Sequence, residues 1–268
     1  MSSSIPHRSV GGRHELGQNF LSDRRVAARI ASLVPPGAVL ELGAGDGALT
    51  RQLAARPGSV TAVELDPMRV AELRRALGHR VRVLHEDMLR FRLAGDHHVV
   101  SNVPFGITTP VLRHLLAQQG WGTAVLLLQW EVARKRAAVG GTTLLTASWW
   151  PWYEFALAER VPAAAFRPRP GVDGGVLVVT RRERELVDRA DRVRYQQLVR
   201  AAFGGDRLVT TLRRSHPGIR AWLTAQGLSG SVRARDLAAQ HWASLFRSTP
   251  RPHPGARPAR PHETRTHR

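Results

Sequence analysis

The sequence of 268 residues contains no cysteine, which excludes disulfide frameworks, thiolate zinc sites and cysteine nucleophiles. It has no apolar run of the roughly 18 to 20 residues that a membrane span requires. Its first residues, MSSSIPHRSVGGRHELGQNFL, lack the continuous apolar segment of a secretory signal peptide. These absences predict a cytoplasmic protein without a membrane partner. Hydrophobic residues, by contrast, make up 43% of the chain, which is enough to build a sizeable core.

Acidic side chains are scarce relative to basic ones. The chain has 21 Asp and Glu against 40 Lys and Arg, a formal net charge of +19, and Lys135 is its only lysine. The excess is concentrated in residues 181–268, where 19 basic and seven acidic side chains give +12. This distribution predicts that the C-terminal third contacts a polyanion.

Short apolar runs alternate with helical segments between about residues 22 and 130. Strands are predicted at 38–42, 59–64, 81–85, 97–101 and 122–129. Such alternation is typical of a mostly parallel sheet covered on both faces by helices. The pattern then changes: residues 142–150 and 152–157 are predicted to pair as an antiparallel edge of the same sheet, and 176–180 as another strand. Helices are predicted at 191–203, 207–213, 217–226 and 235–246.

These patterns divide the chain into four parts. They are a flexible N-terminus (1–15), a sheet domain that carries the chemistry (16–182), a small basic helical domain (183–248) and a disordered tail rich in proline and arginine (249–268).

A glycine-rich turn follows the first of these strands, at residues 41–47 (ELGAGDG). Gly43 and Gly45 let the backbone turn sharply and approach a ligand closely. Glu64 ends the next strand, 21 residues after Gly43. This spacing fits both a dinucleotide site and an S-adenosylmethionine site, since both ligands present an adenosine ribose to an acid at that strand end.

Carboxylates around this turn favour S-adenosylmethionine. Glu41 and Asp46 lie in the loop and would repel a pyrophosphate, whereas they would stabilise the ammonium and sulfonium cations of S-adenosylmethionine. Asp87, after the third strand, is positioned to accept a hydrogen bond from an adenine amino group.

The motif at residues 102–105 (NVPF) directly follows the strand at 97–101. It fits methylation of the amino group of a planar base, whose nitrogen lone pair is delocalised into the ring. The side-chain carbonyl of Asn102 and the backbone carbonyl of Val103 can accept the two amino hydrogens and so favour a pyramidal nitrogen. Pro104 closes the turn, and Phe105 can stack on the extracted base.

In combination, residues 17–21 (GQNFL), 41–47, Glu64, Asp87 and 102–105 resemble the rRNA adenine dimethyltransferase family, over roughly residues 12–247. That family includes the KsgA/Dim1 small-subunit enzymes and the Erm macrolide-resistance enzymes. Residues 14–21 (HELGQNFL) and 166–175 (FRPRPGVDGG) are more similar to the Erm branch.

The resemblance implies an α/β fold: a Rossmann-like, S-adenosylmethionine-dependent methyltransferase sheet with a small α-helical C-terminal domain. It implies methylation of one adenine in domain V of 23S rRNA and resistance to macrolide-type antibiotics, by a monomer that needs no metal. The residues expected to contact S-adenosylmethionine are Asn19, Leu21, Gly43, Gly45, Glu64, Asp87 and Asn102. Phe166 is expected to close over the target base, and Arg134, Lys135 and Arg136 to face the RNA.

Three alternatives remain open. A KsgA/Dim1-type enzyme would dimethylate adjacent adenines in 16S rRNA, although that branch usually has Tyr in place of Phe105 and Ser in place of Gly174. A non-catalytic nucleic-acid-binding factor would have no reason to retain both Asn102 and Phe105. An NAD oxidoreductase would need a catalytic acid–base pair that the sequence does not offer.

Overall fold

The computed structural model describes residues 19–249. The segment 1–15 and all but the first residue of the tail 249–268, predicted to be flexible and disordered, lie outside the described residues. The strands are β1 Phe20–Leu21, β2 Val39–Leu42, β3 Val60–Glu64, β4 Val81–His85, β5 His97–Asn102, β6 Trp121–Gln129, β7 Tyr153–Val161, β8 Phe166–Arg167 and β9 Gly174–Arg181. The α-helices are α1 Arg24–Ser32, α2 Ala48–Ala54, α3 Pro67–Leu77, α4 Thr108–Ala117, α5 Trp130–Arg136, α6 Leu144–Trp149, α7 Arg192–Phe203, α8 Leu208–Thr211, α9 Ile219–Ala225 and α10 Ala239–Ser248.

Seven strands form one sheet in the order β4-β3-β2-β5-β6-β9-β7. The first five are mutually parallel, while β9 runs antiparallel to both β6 and β7. All four residues of β2 are buried, as a central strand covered by helices on both faces requires. The structure therefore confirms the predicted α/β class.

The chain changes direction across this sheet between β2 and β5. From β2 it moves outward through β3 to β4, and then returns to the other side of β2 as β5. Ligands of open parallel sheets bind at such a switch point, in the crevice beyond the carboxyl ends of the strands. The glycine-rich turn follows β2 and the NVPF motif follows β5, so the two predicted motifs flank this crevice.

The segment 142–150, predicted to be a strand, is a helix instead. The Thr143 hydroxyl accepts a hydrogen bond from Thr146 N at 3.2 Å and so caps the N-terminus of α6. The Tyr195 hydroxyl on α7 donates to the carbonyl oxygen of Ala147 at 2.7 Å, and both residues are buried. Tertiary packing on α7 therefore overrides the β propensity of the threonine and tryptophan side chains. The strand predicted at 152–157 exists as β7, an antiparallel edge strand, but its partner is β9.

The helices α7 to α10 extend the hydrophobic core that lies on one face of the sheet. Tyr195 on α7 stacks edge-on against Trp152 and Phe246, with ring centroids 5.5 and 5.6 Å apart. Trp242 on α10 is fully buried. The C-terminal segment is thus helical, as predicted, but α8 has only four residues and α10 begins at Ala239, four residues after its predicted start. Within residues 19–249, no helix combines the length and apolar character needed to cross a membrane.

Candidate active site

The carboxyl ends of β2, β3 and β5, together with the loop after β4, surround a cavity of about 360 Å³ at the switch point. This volume lies within the range of small-molecule sites. Nearly all of the predicted cofactor and catalytic residues line it: Asn19, Leu21, Gly43, Gly45, Glu64, Asp87, Asn102 and Pro104. Residues that are 83 positions apart in sequence, such as Asn19 and Asn102, therefore contribute to one site.

The glycine-rich turn forms the floor of this cavity. Gly45 adopts φ +56°, in the left-handed region that favours glycine. A Cβ atom there would lie 3.2 Å from the ring of Phe20, which is tighter than an ordinary contact. Gly45 therefore lets Phe20 lie against the turn. The guanidinium carbon of Arg69 lies over the Phe20 ring, 4.2 Å from its centroid. Sequence reasoning missed Phe20 as a lining residue, although it stands within the GQNFL motif.

Glu64 fixes the geometry of two loops at once. Its Oε2 accepts a hydrogen bond from Gly45 N at 2.7 Å, and its Oε1 accepts from Leu65 N and Asp66 N, both at 2.8 Å. A carboxylate has about four acceptor positions, so Oε2 retains one for a ligand hydroxyl. Asp87 is organised in the same way, because its Oδ1 accepts from Leu89 N at 2.8 Å.

Glu41 is the most unusual carboxyl group of the cavity. It is 1% exposed, and its Oε2 atom has no hydrogen-bond partner among the described residues. Burial raises the pKa of Glu41 to about 8; the neighbouring Thr50 hydroxyl opposes this rise, and the negative charges of Glu64 and Asp46 add to it. A buried, unpaired carboxyl oxygen in a cavity wall is costly unless a cation or a donor approaches it.

Among residues 19–249, every ionisable side chain in the cavity wall is acidic: Glu41, Asp46, Glu64, Glu86 and Asp87. A pyrophosphate would be repelled by this set, whereas a ligand with an ammonium and a sulfonium group would be stabilised. The unpaired oxygen of Glu41 supplies an acceptor for such a cation. The residues present therefore fit S-adenosylmethionine and do not fit a dinucleotide.

The Asn102 side chain has a defined orientation. Its Nδ2 donates to the backbone carbonyl oxygen of Asn19 at 2.9 Å, and since a carbonyl can only accept, the amide nitrogen must face it. The amide oxygen Oδ1 is thereby left as an acceptor. The following residue, Val103, is buried and donates its N–H to Leu127 on β6 at 3.0 Å. Pro104 accepts from Ile107 N at 3.0 Å and closes the turn.

A short antiparallel pair brings Asn19 to Asn102. Strand β1 pairs with β8, with Phe20 opposite Arg167 and Leu21 opposite Phe166. Ser22 strengthens the junction by donating to the carbonyl of Ala165 through its backbone N–H at 2.8 Å. The sequence gives no signal for this pairing, because each strand has two residues and they are about 145 positions apart.

Phe105 and Phe166 lie together beside the cavity. Their ring centroids are 6.3 Å apart at an interplanar angle of 66°, an edge-to-face contact. Phe105 is half-buried, whereas Phe166 is 1% exposed. In this arrangement Phe166 supports the ring of Phe105 from beneath, and it does not present an open face of its own.

The three predicted RNA-contacting residues lie on α5, away from the cavity. Lys135 is exposed, and Arg134 forms an exposed ion pair with Glu131 at 3.2 Å. Arg136 is half-buried and donates to the hydroxyls of Thr143 and Thr109 at 3.0 and 3.1 Å. Burial and the neighbouring charge of Arg113 lower its pKa. The structure therefore gives Arg136 contacts that join α5 to its neighbours.

Known proteins resemble this chain in both sequence and fold. The model of a family described as ribosomal RNA adenine dimethylase matches residues 10–250. The chain is 55% identical over 254 residues to the mycinamicin-resistance protein MyrB of Micromonospora griseorubida, covering 92% of this chain and 82% of the relative. It is 42% identical over 246 residues to an rRNA adenine N-6-methyltransferase of Corynebacterium diphtheriae, covering 90% of this chain and 92% of the relative.

Among solved structures, the fold is similar to that of the 23S rRNA methyltransferase ErmE. The TM-score is 0.80 at 33% identity, and the match covers 86% of this chain and 99% of that one. Because the match covers 86% of this chain, it includes both the sheet and the C-terminal helices.

Proposed function

We propose a specific reaction for this chain, which belongs to the ribosomal RNA adenine dimethylase family. The chain transfers methyl from S-adenosylmethionine to the exocyclic amino group of one adenine in domain V of 23S rRNA. The consequence for the cell is resistance to macrolide-type antibiotics. The relatives named as a mycinamicin-resistance protein and as a 23S rRNA methyltransferase support this choice over methylation of 16S rRNA.

The observation that carries the proposal is the fixed amide of Asn102 at the rim of an acidic cavity. Its Nδ2 is held by the carbonyl of Asn19 at 2.9 Å, so its Oδ1 is available to accept one hydrogen of an amino group. The backbone carbonyl of Val103 accepts the other hydrogen. Two acceptors at this point draw the amino nitrogen toward a pyramidal geometry, in which its lone pair is no longer delocalised into the ring.

The cofactor is held by the carboxyl ends of β2, β3 and β4. Glu64 would accept a hydrogen bond from one ribose hydroxyl, Asp87 would accept one from the adenine amino group, and Glu41 would face the cationic part of the molecule. When bound, S-adenosylmethionine supplies an electrophilic methyl group on its sulfonium sulfur. The chain contributes position and charge, and the reaction needs neither a metal nor a covalent enzyme intermediate.

The target base is held outside its own stack. Phe105, supported by Phe166 at 6.3 Å, offers a half-buried aromatic face beside Asn102. Base-modifying enzymes extract their target nucleotide and stack it on such side chains. Lys135 and Arg134 on α5, and the basic helices of residues 183–248, contact the surrounding RNA, which is recognised by its shape and by an unpaired base.

The division into a catalytic domain over 16–182 and an RNA-binding domain over 183–248 is part of the same proposal. So are a monomeric state and a location in the cytoplasm, where the rRNA substrate is found.

The test is transfer of labelled methyl from S-adenosylmethionine to purified 23S and 16S rRNA, with the modified base mapped by reverse-transcription stops. A single stop in domain V of 23S rRNA is expected. Label confined to a 16S terminal hairpin would move the protein to the small-subunit branch. Absence of label on both RNAs, with S-adenosylmethionine still bound, would overturn the proposed reaction.

A further inference from the structure

A second cavity opens at the same edge of the sheet, outside the site described above. It has a volume of about 590 Å³ and lies where β6 ends and β9 begins, beside Trp130, Arg160 and the segment 169–173. Strand β6 is the direct neighbour of β5, and Leu127 on β6 pairs with Asn102. Arg160 lies on β7, three strands from β5 in the sheet order, so at about 4.8 Å per strand β7 is roughly 14 Å from the strand that carries Asn102, a distance that a short stretch of RNA can span.

A flat platform of two side chains forms one wall. Gly175 makes room for the indole of Trp130, because a Cβ atom at Gly175 would lie 3.0 Å from Trp130 Cε3. Arg160, on β7, is the direct pairing partner of Gly175 on β9. The guanidinium carbon of Arg160 lies 5.2 Å from the Trp130 ring centroid. The Arg160 side chain remains 59% exposed, so a ligand can reach it from solvent.

The platform is held rigidly by Asp173. Its Oδ2 accepts from Arg160 Nε at 2.8 Å, and its Oδ1 accepts from Ala163 N, also at 2.8 Å. The hydrogen bond from Ala163 N and, to a smaller extent, the one from Arg160 lower the pKa of Asp173. Asp173 and Arg160 are therefore both charged at neutral pH. The planar guanidinium therefore keeps one orientation over the indole.

The charge of the cavity is basic once its pairs are counted. Asp173 is neutralised by Arg160, and Glu131 is paired with Arg134 at 3.2 Å. Arg169 lies in the wall with an exposed side chain and adds a cation at the rim. A planar stacking surface beside a cation matches the two parts of a nucleotide, its base and its phosphate.

We propose that this cavity binds a nucleotide that flanks the target adenine, an inference that rests on the proposed function. The flanking base stacks on the Arg160 guanidinium, which lies over the Trp130 indole, and its phosphate contacts Arg169. The stacked flanking nucleotide keeps the RNA strand open on one side of the extracted adenine. The cavity thereby contributes to the choice of target.

The first test removes the flanking base from the RNA and the stacking plane from the protein in turn. Domain V fragments that carry an abasic nucleotide at each position next to the target are compared as substrates for the wild type and for Arg160→Lys, which keeps the charge and loses the plane. In the wild type, one abasic position is expected to raise KM about tenfold, in line with the stacking energy of one base. In Arg160→Lys, the same substitution is expected to change KM less than twofold.

Arg29→Lys is the matched control. Arg29 is also paired through Nε to a carboxylate, Glu159, at 3.1 Å, and its side chain is 53% exposed, but it lies on α1 and does not line this cavity. It is expected to discriminate against the abasic substrate as the wild type does. If Arg160→Lys also discriminates as the wild type does, the stacking assignment is wrong.

A second variant tests the phosphate contact without altering the packing. Arg169→Gln is expected to reduce the slope of log affinity against log salt by about 0.7 to 0.9, the value for one phosphate contact. An unchanged slope would remove Arg169 from the RNA contact surface. If the wild type transfers no methyl to any rRNA, the proposed function fails and this inference fails with it, whereas loss of discrimination alone leaves the proposed function intact.

Discussion

The orientation of Asn102 is determined by a main-chain carbonyl, so a change of one side-chain atom should disrupt it. In Asn102→Asp, a carboxylate oxygen would replace Nδ2 and face the carbonyl of Asn19, which can only accept. The variant is expected to lose at least 100-fold in kcat, comparable to the loss of one transition-state hydrogen-bonding group. Single-turnover methyl transfer with saturating S-adenosylmethionine measures this loss.

Asn102→Ala separates orientation from charge, because it removes both the donor and the acceptor without adding repulsion. We expect it to fold as the wild type does and to be similarly inactive, and circular dichroism with thermal melting checks the fold. Methyl transfer by Asn102→Ala within threefold of the wild-type rate would show that Oδ1 has no part in the reaction.

The raised pKa of Glu41 predicts how the stability of the folded chain depends on pH. Its pKa is raised from 4.5 to about 8 in the folded chain, so folding takes up a proton between these two values. The stabilising contribution of the neutral carboxyl is complete below about pH 4.5 and is lost as the pH rises through about 8. Glu41→Gln, which is neutral at every pH, should therefore melt close to the wild type at pH 5 and several degrees above it at pH 8. Equal melting differences at the two pH values would contradict the burial of an ionisable Glu41.

The same carboxyl group should also release a proton when the cofactor binds. A cation beside Glu41 favours its charged form and lowers its pKa, so binding of S-adenosylmethionine near pH 7 is expected to release up to one proton. Calorimetry in buffers of different ionisation enthalpy measures this release, and Glu41→Gln is the control that should release none. Release of the same size from both proteins would assign the proton to another group.

At the scale of elements, the sequence predicts the strands that are long and apolar. The strands β2 to β6 follow their predicted ranges to within a residue or so at each end, because each one is a run rich in apolar residues between turns. The pairing of β1 with β8 could not be predicted, since two residues carry no periodicity and the contact depends on tertiary structure. As a consequence, the residue types of the site were foreseen, but the contact from Asn19 that orients Asn102 was not.

Phe20 tests whether β1 has this positioning role. The Phe20 ring lies 3.2 Å from the position that a Cβ atom would have at Gly45. Its centroid lies 4.2 Å from the guanidinium carbon of Arg69. Phe20→Ala should loosen β1, and we expect about a tenfold rise in KM for S-adenosylmethionine together with a fall in kcat, because Asn102 loses a fixed partner.

Phe20→Tyr keeps the ring and should restore both constants to within about twofold, since the aromatic face is retained. A variant Phe20→Ala that raised KM without changing kcat would restrict Phe20 to cofactor binding.

At the scale of the whole molecule, charge is separated by function. The chain carries +19 overall, yet the ionisable side chains that line the cofactor cavity in the described part of the chain are all acidic. A cationic cofactor and an anionic RNA are therefore attracted to different surfaces of one protein. Because the cavity lies at the carboxyl edge of the sheet, the basic helices can contact RNA without contributing cations to the cofactor site.

This separation predicts that one set of exposed arginines contributes to RNA binding and that a second set does not. Arg213, Arg214 and Arg220 are exposed on the basic C-terminal segment, whereas Arg75, Arg80 and Arg82 are exposed around β4 at the far edge of the sheet. Replacing all three of the first set by Gln should reduce the slope of log RNA affinity against log salt by about 2 to 3. The same replacement in the second set removes an equal charge and should leave that slope nearly unchanged. Filter binding of a domain V fragment between 50 and 300 mM salt measures both slopes, and equal reductions in the two variants would mean that net charge, rather than the C-terminal surface, governs RNA binding.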